Sequence, residues 1–211
     1  MDYLELSSAL RRHKVVLFGL GEVRNLFPDA KLKAIKNNFV RWVAKGYFFR
    51  LKRGLYEFVE PGQRAEISDL YVANTLYRPS YISLETALSI YSIIPDVAAG
   101  VTSLTTRPTR TFKNKYGTFF YRACQGRAFT GYKLMQFEGV KIYIADKEKA
   151  LVDFLYYRLR SGLSLDFAEE RLNKRILKKL NWKKVFRYAG LFNQRTVKAA
   201  KECREHAKCS L

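Results

Sequence analysis

Between Asp29 and Arg53 the chain lays eight basic residues over an apolar repeat of helical spacing. The cations are Lys31, Lys33, Lys36, Arg41, Lys45, Arg50, Lys52 and Arg53; Asp29 is the single acid. Leu32, Ile35, Phe39 and Trp42 recur every three or four residues, so one face of a helix over about 30–45 can pack inward. The opposite face carries Lys33, Asn37 and Arg41, with Lys36 on its flank and Lys31 near the apolar edge. Pro28 ends a preceding helix, and Asp29 stands where it can cap the next one. Gly46 suits the left-handed residue after a helix end. Residues 47–51 and 55–59 then read as two strands around Lys52-Arg53-Gly54, a turn closed by a bulge glycine. A basic amphipathic helix followed by a basic hairpin predicts a winged helix-turn-helix. Its helix would enter a DNA major groove and its wing would lie along the phosphates. The DNA-binding set expected is Lys31, Lys33, Lys36, Asn37, Arg41, Arg50, Lys52 and Arg53, with Asn37 or Asn38 suited to adenine and Arg41 to guanine or phosphate.

The rest of the 211 residues carries the same electrostatic bias, for a formal net charge of +20. Residues 1–60, 61–160 and 161–211 contribute +6, +6 and +8. Such a surplus favours a polyanionic partner, yet only its clustering can locate a site. A second cluster lies at 171–187, eight bases without an acid. Lys174, Lys178, Lys179, Lys183, Lys184 and Arg187 there form either a second basic surface or a solvated helix face. Residues 107–117 read as a basic loop carrying Arg107, Arg110, Lys113 and Lys115.

Coarse periodicity places helices at 2–12, 20–27, 66–77, 84–91 and 147–160, and short strands at 81–82, 101–106, 118–124, 132–137 and 140–144. Ser83 and Asp146 are positioned as helix caps, and Asn181 divides the C-terminal helical region. The expected class is α+β. It comprises a winged helix-turn-helix over 1–60, a mixed α/β domain over 64–160 and a basic helical extension over 161–211.

Enzyme signatures are weak. Asp146, Glu148 and Asp153 invite a metal-dependent nucleic-acid-processing reading, but Asp146 is accounted for as a cap, and Glu148 and Asp153 share a helix face poorly. Cys124, Cys203 and Cys209 have neither disulfide-framework nor zinc spacing, and Cys203, His206 and Cys209 lack a fourth ligand nearby. No catalytic residue, metal or cofactor is therefore expected. No apolar run reaches membrane-span length, and the acidic start lacks a signal-peptide core, so the expectation is a soluble, cytoplasmic protein without a membrane partner.

Three stretches carry a family resemblance: RWVAKGYFFRLKRGLYEF at 41–58, PSYISLETALSIYSIIP at 79–95 and IADKEKALVDFLYY at 144–157. In this order they resemble the AbiEi-type antitoxins, predicted transcriptional regulators of viral defence and the antitoxin half of type IV toxin–antitoxin (abortive infection) systems. The resemblance implies a winged helix that binds double-stranded operator DNA as a repressor of its own operon. It implies a following domain that neutralises a nucleotidyltransferase-like toxin, in some members without a lasting complex. A homo-oligomer on a palindromic or repeated operator is expected. A stand-alone regulator without a toxin is the alternative.

Overall fold

The computed structural model describes residues 1–59, 67–96, 98–162, 165–167 and 169–208. The fold is α+β and divides into two compact units, Met1–Ile67 and Ser68–Leu211. Residues 161–211, read from sequence as an extension, belong with the second unit. Among the described residues, no helix is long and apolar enough to cross a membrane.

The first unit runs α1 (Tyr3–Arg12), β1 (Leu17–Gly19), α2 (Leu20–Leu26), α3 (Leu32–Ala44), β2 (Phe48–Lys52) and β3 (Leu55–Phe58). Its sheet is antiparallel in the order β1-β3-β2. The Asp2 carboxylate and Glu5 close a capping box at the start of α1. Leu6 and Leu10 of α1, Phe18, Val23, the α3 stripe Ile35-Phe39-Trp42, and Phe48 and Phe58 form one core. Phe39 stacks on Tyr56 at 4.6 Å and meets Trp42 edge-on at 5.6 Å. Full burial of each such side chain contributes about 1.5–3 kcal/mol, so α3 is held by its apolar stripe rather than by its caps. Its N-cap is Lys31, with no side-chain cap bond. Asp29, expected in that role, lies two residues too early to reach the free amides. Gly46 has φ +75° and Gly54 φ +80°, and the ladder slips between Arg50 and Lys52, as a glycine-closed bulged turn requires.

The second unit is built on a six-stranded mixed sheet in the order β6-β7-β5-β4-β9-β8. The strands are β4 (Ser80–Ile82), β5 (Val101–Thr105), β6 (Arg110–Asn114), β7 (Gly117–Ala123), β8 (Tyr132–Phe137) and β9 (Val140–Ala145). Its helices are α4 (Asp69–Leu76), α5 (Leu84–Ile90), α6 (Lys147–Arg160), α7 (Lys174–Leu177), α8 (Trp182–Gly190) and α9 (Gln194–Lys208). The Tyr121 hydroxyl donates to Ala73 O of α4 at 2.6 Å. Thr102, paired with Phe120, instead meets Ser83 and Thr86 at the start of α5. Alternation along a strand therefore puts α4 and α5 on opposite faces. α6 packs beside α5 and carries α8 and α9.

The basic segment 107–117, read as a loop, contains β6, which pairs with β7 over five residues. Phe112 rests near Tyr77 and Tyr121 at 5.5 and 5.7 Å, and this apolar anchor makes an edge strand out of a cation-rich run.

Candidate nucleic-acid interface

On α3, Ile35, Phe39 and Trp42 are buried, while Lys33, Lys36, Asn37 and Arg41 are exposed on the far side. The 3.6-residue period places these four on one face, together with Val40 and Ala44. Lys31 is exposed but sits at the N-cap with extended backbone, outside that face. Asn38 is half-buried and committed within the unit. Its Nδ2 donates to Met1 O at 3.4 Å, and its Oδ1 accepts from Arg41 Nη2. The Arg41 guanidinium is thereby tethered to Asn38, and Asn37 is the exposed amide of the pair.

On the hairpin, Arg50 and Arg53 are exposed and Lys52 is half-buried. Arg50 pairs across the ladder with Tyr56, whose ring backs onto Phe39. The hairpin is thus rooted in the core that fixes α3. Of the eight residues expected to contact DNA, Lys33, Lys36, Asn37 and Arg41 share a helix face, Arg50, Lys52 and Arg53 share the hairpin, and Lys31 stands apart.

Val40 is a residue that charge reasoning passes over. It is 72% exposed in the middle of the basic face, with Lys36, Asn37 and Ala44 three or four residues away. Its signal in the sequence is a β-branched residue out of phase with the Ile35-Phe39-Trp42 stripe.

The 171–187 cations divide by use. Lys178, Lys179, Lys183 and Arg187 are exposed. Lys174 is half-buried. Lys184 pairs with Asp146 at 2.8 Å and Glu148 at 3.6 Å, and the Tyr188 hydroxyl donates to Asp146 at 2.9 Å. The bond with Asp146 raises the Lys184 ammonium above its ordinary lysine value. This knot fastens α8 to the start of α6, so Lys184 is half-buried and committed to carboxylates of its own unit. In the 107–117 segment, Arg107 donates to Arg78 O at 3.2 Å and lies over the Tyr77 ring at 4.8 Å.

The three acids that invite a metal reading are separated by their partners. Asp146 caps α6 through Lys149 N at 2.9 Å, and Glu148 accepts from Asn181 N at 3.1 Å. Asp153 is fully buried. It accepts from Lys149 Nζ, from Ser83 Oγ at 2.7 Å and from Tyr81 Oη at 3.4 Å. Burial pushes its carboxyl up, against the pull of Lys149 and the two hydroxyls. Ser83, expected as a cap, is the N-cap residue of α5 without a side-chain cap bond, because its hydroxyl is drawn to Asp153. Among the described residues no group of three His, Cys, Asp or Glu could hold a metal ion. Burial also pushes the Cys124 thiol up to about 11 and Cys203 up to about 12, which keeps both as poor nucleophiles. Cys209 lies outside the described residues.

No family model matches the chain, and no curated protein matches it. Among solved structures it is similar to the RV2827C protein from Mycobacterium tuberculosis. The TM-score is 0.62 at 10% identity, covering 96% of this chain and 76% of that one. At that identity the likeness is one of fold.

Proposed function

We propose that the first unit is a winged helix-turn-helix that binds double-stranded operator DNA, and that the chain is a non-enzymatic transcriptional autoregulator. The observation carrying this reading is the exposed α3 face, where Lys33, Lys36, Asn37 and Arg41 stand opposite a buried aromatic stripe. The element order α1-β1-α2-α3-β2-β3 and the cationic wing support it. Lys33 and Lys36 meet phosphates, Asn37 faces a base edge, and Arg50 and Arg53 hold the backbone beside the groove. Val40, the apolar centre of the face, suits the methyl group of thymine.

The second unit acts as the antitoxin part, neutralising a nucleotidyltransferase-like toxin in the cytoplasm. Support comes from the resemblance over 79–95 and 144–157, two segments joined by the Ser83–Asp153 hydrogen bond. A gel-shift assay on DNA upstream of the gene tests the first part, and loss of binding in Lys36→Glu with Arg41→Glu is expected. Unchanged affinity in that variant removes α3 as the interface. Co-expression with an adjacent nucleotidyltransferase-like gene tests the second part. Growth restored by residues 68–211 alone assigns neutralisation to that unit, whereas growth that stays arrested leaves a regulator without antitoxin action.

A further inference from the structure

The second unit holds a cleft of about 600 Å³ between β7, the start of α5 and the C-terminal end of α6. Its size falls in the range of small-molecule sites, roughly 300–1,000 Å³. Phe120 and Arg122 reach it from β7, two residues apart and so on one face of the strand. Tyr157, Arg158 and Arg160 reach it from α6.

Charge in the cleft is unbalanced. Arg158 pairs with Glu170 at 2.7 Å, yet its buried Nε has no acceptor among the described residues. Arg122 and Arg160 are exposed. Glu85 is the acid of the lining and Glu170 is matched by Arg158, so Arg122 and Arg160 leave the cleft with a surplus of positive charge. Like charges gathered in a concave site raise the local concentration of anions.

The aromatic part of the cleft is fixed by backbone geometry. A Cβ at Gly100 would collide with Thr118 O and come within 3.1 Å of Phe120 Cε2, so glycine is what lets this wall close on the ring. Tyr157 is anchored by its hydroxyl, which donates to Ala123 O at 2.6 Å. Leu84, also in the lining, has φ +56°, a left-handed backbone that is costly for leucine. The preceding Ser83, bonded to buried Asp153, holds that corner in place.

We infer that this cleft binds a nucleotide, with the phosphate taken by Arg122 and Arg160 and the base lying against Phe120 and Tyr157. Guanidinium forks match phosphate oxygens bidentately, and aromatic side chains accept any base by stacking. The same chemistry is offered by a free mononucleotide and by the 5′-phosphorylated end of a strand. The inference stands apart from the reading of α3, since no residue of the first unit is involved.

Calorimetric titration of the full chain with AMP, GMP, CMP and UMP tests it, beside inorganic phosphate, adenosine and a 5′-phosphorylated trinucleotide. Saturable binding of the mononucleotides with Kd of about 10–500 μM is expected, with phosphate and adenosine each at least about 10-fold weaker. Arg122→Ala with Arg160→Ala weakens binding about 10-fold or more, and Phe120→Leu removes the preference over inorganic phosphate. Arg122→Gln alone serves if the double variant melts early. A trinucleotide that binds more tightly than AMP, with the same arginine dependence, identifies a strand end as the ligand; a weaker one identifies the free nucleotide. Absence of saturable binding up to about 5 mM, inorganic phosphate as good as AMP, or unchanged affinity in both arginine variants overturns the inference. So does loss of binding in Lys36→Glu with Arg41→Glu, which would put the nucleotide on α3.

Discussion

The two units use positive charge in opposite ways. In the first, the core is aromatic and aliphatic, and Lys33, Lys36, Arg50 and Arg53 stand in solvent. In the second, several cations are fasteners: Lys149 is buried against Asp153, Lys184 ties α8 to α6, and Arg158 holds Glu170. Basic residues make up nearly the same share of both units, 13 of 67 and 26 of 144, so their number cannot distinguish these roles. What separates fasteners from open cations is the company each keeps: a carboxylate for Lys149, Lys184 and Arg158, and solvent for Lys33, Lys36, Arg50 and Arg53.

The largest effect is expected from removing the acid of the buried pair. Asp153→Ala leaves Lys149 uncompensated and fully buried, and a loss of ~3–5 kcal/mol in denaturant unfolding is expected. DNA binding by the first unit is expected to survive in that variant. A loss under about 1 kcal/mol would mean the pair is not the fastener that burial implies.

Charge reversal on the open face should do the opposite. Lys36→Glu with Arg41→Glu is expected to weaken operator binding about 100-fold or more, worth ~2.7 kcal/mol of affinity, while the thermal midpoint barely moves. The plot of log K against log salt should also flatten by about one unit for each phosphate that is no longer neutralised.

Lys184 sharpens the contrast because it is half-fastened. Lys184→Ala is expected to cost about 1 kcal/mol in thermal unfolding, since the pair is only partly withdrawn from water. Asp146 holds the Lys184 ammonium above its unfolded value, so this stabilisation is complete below pH 10.5 and fades as pH climbs through the folded value. On the alkaline side, wild type and variant should therefore converge in stability only once the Lys184 ammonium is deprotonated.

Two smaller effects complete the series. Replacing thymine by uracil at the position Val40 touches should weaken wild-type binding by roughly 0.5–1 kcal/mol and leave Val40→Ala nearly unaffected. Equal sensitivity in both proteins would remove Val40 from base reading. Arg171→Ala should change stability by less than about 0.5 kcal/mol, because its pair with Asp96 is 64% and 60% exposed.

Much of the architecture could be read along the chain because its causes are local. Gly46, Gly54 and the Asp146 cap mark boundaries by backbone and amide chemistry that involves only near neighbours. The Ile35-Phe39-Trp42 period likewise states which side of α3 must leave water. Sequence and structure part company where a helix start is displaced or a distant group competes. Asp29 falls short of its cap by two residues. Ser83 gives its hydroxyl to a carboxylate 70 residues away. The cations of 107–117 conceal a strand because Phe112 finds Tyr77 and Tyr121 only in three dimensions. The arginine cleft gives no signal, since Arg122 and Arg160 come together through sheet order and helix packing.

Residue order alone established most of the elements, the amphipathic face of α3 and the basic character of α3 and its hairpin, because propensity, periodicity and turn geometry act within a few residues. Packing settled which charges are neutralised, which remain open to a polyanion and where a cleft forms. Those outcomes depend on desolvation and partner distance, and both come into being only when remote segments meet.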